Sequence, residues 1–407
     1  MKLLHVISSV NPNGGGPIEG INQLAAAFHT RNEVDCERRS HDSDTVCEIP
    51  LDQGRVCISI CSLDSPDDPW VLASKIQVHA LGPAALGYGF STRLVPWLRT
   101  HAQEYDAVIV NGLWQYVGFA VWRALAGSTT PYFVFSHGML DPWFKRTYPL
   151  KHLKKWLYWP WAEYRVLRDA RRVIFTCEDE CLLARESFWL YRASEAVTSY
   201  GTASPPTDAE RLREAFLATQ PALRGRRLLL FLSRIQEKKG CDLLLEAFAK
   251  VVTVDPNLHL VMAGPDQTGW MTTLKAQAQA LGIADHITWP GMLQGDLKWG
   301  AFYAAEVFVL PSHQENFGIV VAEALACGKP VLISNKVNIW REIAADGAGF
   351  VDTDTVDGTV RNLQRWLALS QSDYIAMSAK SVQTFNERFH IQRAARKFLE
   401  IIQTATA

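Results

Sequence analysis

Short runs of Val, Ile, Leu and Phe alternate with amphipathic stretches through nearly the whole chain. Strands of a parallel sheet are buried on both faces, so they read as continuous apolar runs rather than as alternation, and the amphipathic stretches between them read as covering helices. The pattern predicts an α/β protein. A first set of strands is expected at 3–10, 56–62, 107–111, 132–136, 173–176 and around 197–200. A second set is expected at 228–233, 259–263, 287–289, 307–311, 331–334 and around 350. Between the sets, Pro205, Pro206 and Pro221 surround one short helical stretch, the mark of an interdomain connection. The expected layout is a doubly wound domain over 1–201, a linker over 202–225, a second doubly wound domain over 226–390 and a terminal helix over 391–407 near the hinge. Ligands of such sheets bind beyond the carboxyl ends of the strands, which makes a cleft between facing domains the expected active site.

Composition narrows the classes of function. The 407 residues are 48% apolar and 20% charged, close to a soluble globular average, which excludes a disordered or fibrous chain. Lys plus Arg number 41 against 42 for Asp plus Glu, so no global field exists to hold a polyanion, and nucleic acid is not an expected partner. The longest uncharged apolar run, 107–122, contains Asn111, Gly112 and Gln115 and falls short of the roughly 20 residues of a spanning helix. The opening MKLLHVISSV reads as a buried strand and not as a signal peptide, which places the protein in the cytoplasm. Eight cysteines are too few for a disulfide scaffold. The pairs Cys57/Cys61 and Cys177/Cys181, and His41 between Cys36 and Cys47, lack the spacing of a zinc site.

The most informative stretch is VFVLPSHQENFGIVVAEALACGKPVLIS, 307–334. A buried strand ends at Pro311, a polar loop carries Glu315, and Gly318 opens a helix in which Glu323 sits eight positions after Glu315. Amides at a helix start, with the dipole behind them, bind phosphate, and a carboxylate a turn further on can accept from a ribose diol. In FLSRIQEKKGCDLLLEAF, 231–248, Arg234 and Lys239 flank the turn at another strand's carboxyl end, where a fork and a point charge neutralise a diphosphate. Each stretch taken alone is also compatible with an ordinary solvated loop.

Together these residues resemble the retaining nucleotide-sugar glycosyltransferases of glycosyltransferase family 4, which have the GT-B fold of two facing Rossmann-like domains. The resemblance rests on Ser233-Arg234 to Lys239-Gly240, Ala263-Gly264, the Glu315-x7-Glu323 element and Gly328-Lys329-Pro330-Val331. It implies that Arg234 and Lys239 bind the donor diphosphate, supported by the amides of Phe317, Gly318 and Ile319. It also implies that Glu323 binds the ribose, that Glu315 holds the donor sugar near its hydroxyls, and that Leu293 borders the nucleobase. The donor is a UDP- or GDP-sugar, a substrate, and no cofactor is implied.

In the first half the resemblance is looser. NPNGGGPIEGINQLAAAF follows the first strand without matching the G-x-G-x-x-G dinucleotide fingerprint, and the resemblance assigns Gly15 and Gly16 to the donor phosphate and acceptor. In FVFSHGML, His137 ends a strand and would contact the transferred sugar. Two D-x-D pairs, Asp42/Asp44 and Asp352/Asp354, lie away from the donor motifs, and with Arg234, Lys239 and a helix start available no metal is expected. The basic, aromatic segment 141–172 resembles the membrane-facing region of family members that use lipid-linked acceptors. Its residue types fit equally an anionic membrane surface or a helix packed in the domain. The sequence thus predicts a metal-independent glycosyltransferase, cytoplasmic or at the inner membrane face, acting on a glycan or lipid-linked acceptor in cell-surface polysaccharide synthesis. The rival readings are a binding protein without turnover and a sugar-nucleotide epimerase or phosphorylase on the same fold.

Overall fold

The computed structural model describes residues 1–12, 15–38, 56–85 and 87–406. The chain forms two units, Met1–Gly201 with Ile391–Ala407, and Thr202–His390.

The first unit is built on a parallel sheet of β1 (Lys2–Val6), β2 (Cys57–Ser62), β3 (Gln77–Ala80), β4 (Ala107–Asn111), β5 (Tyr132–Phe135), β6 (Arg172–Phe175) and β7 (Glu195–Val197), in the order β3-β2-β1-β4-β5-β6-β7. All five residues of β4 are buried, which is why its apolar run is unbroken. The strand β3 escapes the apolar pattern because it is an edge strand with no fully buried residue. Chain order reverses between β1 and β4, the switch point at which such sheets bind ligands. The terminal helix Ile391–Thr406 returns to this unit and buries Ala394, Phe398, Leu399 and Ile402. Phe398 stacks on Phe135 with centroids 6.3 Å apart and lies 6.1 Å from His5.

The second unit carries β8 (Arg227–Leu232), β9 (Leu258–Ala263), β10 (Ile287–Gly291), β11 (Val307–Leu310), β12 (Val331–Ser334) and β13 (Gly349–Asp352), all parallel in the order β10-β9-β8-β11-β12-β13. Its reversal falls between β8 and β11, the two strands whose ends carry the basic and acidic motifs. The stretch 202–225, expected to be a linker, is part of this unit. Its helix Ala209–Thr219 buries Leu212 and Phe216, and a Cβ at Gly300 would stand 2.2 Å from the Leu212 carbonyl, so the helix lies directly on Gly295–Ala304. The short helical stretch read between the prolines is this helix, and its apolar positions 212, 216 and 217 form the face it buries.

Candidate functional site

In the second unit, the chain leaves β8 through Ser233 and the exposed Arg234, turns at Glu237–Lys239 and enters the helix Cys241–Val251 at Gly240. Gly240 takes φ 66°, and a Cβ there would stand 2.3 Å from the Pro311 carbonyl, so only glycine lets this turn close on the loop after β11. The loop is tied down by the Lys238 carbonyl, which accepts from Ser312 Oγ and from the His313 amide, each at 2.9 Å. Lys239, 4% exposed, hydrogen-bonds and ion-pairs with the Glu315 carboxylate. The Glu315 backbone is pinned on both sides, its amide donating to Lys336 O at 2.9 Å and its carbonyl accepting from Asn338 N at 3.0 Å. Burial alone would push the Glu315 carboxyl up. The charge and hydrogen bond of Lys239, backed by Lys238 and Arg234, outweigh it and hold the carboxyl below its ordinary range, so Glu315 is ionised.

Gly318, at φ 73°, caps the helix Ile319–Ala326, and at the start of an α-helix the amides have no intrahelical partner. The Gly318 and Ile319 amides therefore stand at the positive end of the helix dipole. The Phe317 ring packs edge-on against Phe389 at 5.5 Å and anchors the turn from below. Within the helix, Glu323 is 7% exposed and receives Lys298 Nζ at 2.7 Å on Oε1. Leu293 is half-buried in the loop after β10.

In the first unit, Gly15 and Gly16 sit at the start of the helix Gly16–Arg38 with open space where a side chain would project. The Gly16 carbonyl accepts from the Tyr200 hydroxyl, and the Tyr200 ring meets His137 edge-on at 6.0 Å. This places the glycine turn and His137 on two sides of one tyrosine. His137 holds φ 48°, a left-handed conformation costly for a side chain bearing Cβ. The buried Glu180 enforces it by accepting from Ser136 Oγ and Gly138 N, and from Thr176 N and Oγ1, all at 2.6 Å. The His137 ring stacks on Phe135 at 4.7 Å. Burial, with His5 nearby, pushes the His137 pKa down to about 3, so the ring is neutral at physiological pH.

The family model described as glycosyl transferases group 1 matches residues 213–381, which hold Arg234, Lys239 and both glutamates, and that of the glycosyl transferase 4-like domain matches 15–201. By these matches the second unit carries a glycosyl transferases group 1 domain and the first a glycosyl transferase 4-like domain. Among curated relatives, the D-inositol 3-phosphate glycosyltransferase of Saccharomonospora viridis is 31% identical over 258 residues, 60% of this chain and 58% of the relative. That of Thermomonospora curvata is 42% identical over 137 residues, 32% of each chain. The matches thus span less than two thirds of these relatives. The fold is that of the crystal structure of Anabaena Alr3699/HepE in complex with UDP and glucose, at 18% identity, TM-score 0.73, covering 99% of this chain and 100% of that one. Sucrose-phosphate synthase from Thermosynechococcus elongatus aligns at 17% identity and TM-score 0.73 over 99% and 98% of the two chains. The two doubly wound parallel sheets of this chain are the GT-B architecture.

Several residues of this chain that shape the site have no signal in the sequence. Lys298 lies 25 positions from Glu323, Glu180 lies 44 from Ser136, and Asn111 lies 106 from His5. Of the D-x-D pairs, Asp352 is engaged by Arg361 at 2.6 Å and Arg365 at 3.1 Å, and Asp354 by His313 at 2.8 Å. Asp42 and Asp44 lie outside the described residues, as do His41 and Cys47. Among the described residues no group of three or more His, Cys, Asp or Glu is placed to hold a metal. The segment 141–172 divides. Trp159, Val166 and Leu167 enter the core, while Leu150, Leu153 and Leu157 of the helix Pro149–Tyr158 are 82%, 61% and 74% exposed. No helix among the described residues is long and apolar enough to cross a membrane.

Proposed function

We propose that the protein is a retaining, metal-independent glycosyltransferase that moves a sugar from a UDP- or GDP-sugar to a hydroxyl of a glycan or lipid-linked acceptor in cell-surface polysaccharide synthesis. The observation that carries this reading is the set of charges at the ends of β8 and β11: the buried Lys239–Glu315 pair with the exposed Arg234, beside the amides that open Ile319–Ala326. Arg234, Lys239 and the helix start take the diphosphate and stabilise it as it leaves. Glu323, held by Lys298, accepts from the ribose hydroxyls, and Leu293 borders the base. Glu315 orients the sugar through its hydroxyls, and His137 contacts a sugar hydroxyl, while Gly15 and Gly16 leave room for phosphate and acceptor. Retention follows from the resemblance of the donor motifs, and with no covalent nucleophile assigned among the described residues, the acceptor oxygen attacks C1 on the face the diphosphate leaves. The C1–oxygen bond breaks with its electron pair on the diphosphate, which takes up the acceptor's proton. The arginines and histidine that occupy Asp352 and Asp354 support a diphosphate site without metal.

The exposed leucines at 150, 153 and 157 share one helical stripe, followed three residues past the helix by Trp161 at 50% exposure, with the exposed Lys151 and Lys154 on the same helix. An apolar stripe edged with cations suits an anionic bilayer, and we assign it to peripheral contact with the cytoplasmic face.

Thermal shift and nucleotide release with UDP-, GDP- and ADP-sugars test the reading, with NAD as control and Glu323→Ala in parallel. D-inositol 3-phosphate, for which the curated relatives are named, is the first acceptor to offer. Stabilisation by one class of nucleoside diphosphate, lost in Glu323→Ala, is expected. A flat response to all of them, or a product with inverted anomeric configuration, overturns it.

A further inference from the structure

Asn111 closes β4 at 3% exposure, between His5 of β1 and His137 after β5. Its Nδ2 faces three groups: Nδ1 of His5 at 3.2 Å, the Ile109 carbonyl at 3.1 Å and the Val6 carbonyl at 3.5 Å. Carbonyl oxygens only accept, so this end of the side chain is the NH2 group and its other end is the amide oxygen. That oxygen lies 3.3 Å from Nε2 of His137. An amide oxygen also only accepts, so the single ring proton of a neutral His137 belongs on Nε2. Nδ1 of His137 then carries a bare lone pair, and no described residue hydrogen-bonds to it. His5, fully buried, accepts at Nδ1 and so bears its proton on Nε2, which has no partner. A buried orphan donor is costly, and an apolar side chain here would avoid it. What His5 supplies in return is an acceptor side chain that turns the Asn111 amide one way.

We propose that Asn111, backed by His5, is a positioning residue that holds His137 as the Nε2–H tautomer, so that the substrate group meeting Nδ1 must be a donor, a sugar hydroxyl and not a phosphate or carboxylate oxygen. The substrate half rests on His137 being the sugar contact; the tautomer half does not.

The full chain labelled with 15N-histidine, observed by long-range 1H–15N correlation at pH 7 without ligand, tests the tautomer. Nδ1 of His137, assigned by the signal lost in His137→Gln, is expected at the shift of an unprotonated ring nitrogen and Nε2 at that of a protonated one, and Asn111→Ala is expected to move both. An Nδ1–H or cationic ring in the wild type, or an unchanged His137 in Asn111→Ala, overturns the proposal. Should Asn111→Ala not fold, the wild-type spectrum alone decides. The substrate half is read with donors in which one sugar hydroxyl is replaced by fluorine, which accepts but does not donate. At one ring position the replacement is expected to lower kcat/KM of the wild type about tenfold, and of His137→Gln and Asn111→Ala by less than about twofold beyond their own losses. Equal losses in all three proteins at every position overturn it. A protein that turns over no donor overturns the glycosyltransferase reading, while the spectrum still decides the tautomer.

Discussion

In the second unit Lys239 meets Glu315 and Lys298 meets Glu323, two pairs of opposite charge with at least one member of each largely buried. In the first unit the row His5, Asn111 and His137 is uncharged, and the buried Glu180 is satisfied by hydroxyl and amide donors of Ser136, Gly138 and Thr176 without a cation. The difference follows what each unit is assigned to hold. A diphosphate brings negative charge that must be met by cations kept in place while the site is empty, and the glutamates do that. A neutral hydroxylated ring needs direction and not charge, which a fixed amide and a fixed tautomer supply.

The largest expected effect breaks the charged side of this contrast. Lys239→Met leaves Glu315 without its cation and should cost the second unit about 3–5 kcal/mol, seen as lost hydrogen-exchange protection over 227–352 with the first unit unchanged. Glu315→Gln in the same chain should recover most of that stability without recovering donor binding. A Lys239→Met protein with wild-type protection would show that the pair does not hold the loop.

The second prediction sharpens the neutral side. Glu163 is fully buried, one oxygen accepting from the Trp114 amide at 2.6 Å, and burial raises its pKa from 4.5 to about 8 against the smaller opposing effects of that bond and Lys155. A raised folded value means stability that is present below the unfolded pKa and is lost as pH rises toward 8. Glu163→Gln should match the wild type near pH 4.5 and exceed it by about 2 kcal/mol or more at pH 7 in denaturant melts of the first unit. Parallel pH curves for the two proteins would contradict this.

Lys298→Met should raise the donor KM roughly tenfold while kcat stays within about twofold, because it removes the ion pair at Glu323 without touching the reacting carbon. A fall in kcat at constant KM would place Lys298 in the chemistry instead. The smallest effect is at the exposed leucines: Leu153→Ser should weaken partitioning onto anionic vesicles by about fivefold, with turnover on a water-soluble acceptor unchanged. Undiminished vesicle binding would remove this helix from the membrane surface.

The apolar runs by themselves determined the α/β class, most strands and the two-sheet division, because a strand buried on both faces must be apolar along its length, as β4 is. The motif loops were legible for the same reason, since each begins where such a run stops. Half-exposed β3 was not, because it leaves no unbroken apolar run, and the helical stretch read between the prolines gave no sign that 209–219 packs into the second unit. What only the tertiary structure decided is pairing: Lys298 on Glu323, Glu180 on the His137 turn, Tyr200 on Gly16, and the direction of the Asn111 amide. Such partners come from different strands and helices, so their separation along the chain has no period. A buried carboxylate or imidazole shows whether it is charged, and which atom carries its proton, only when the groups around it are in place.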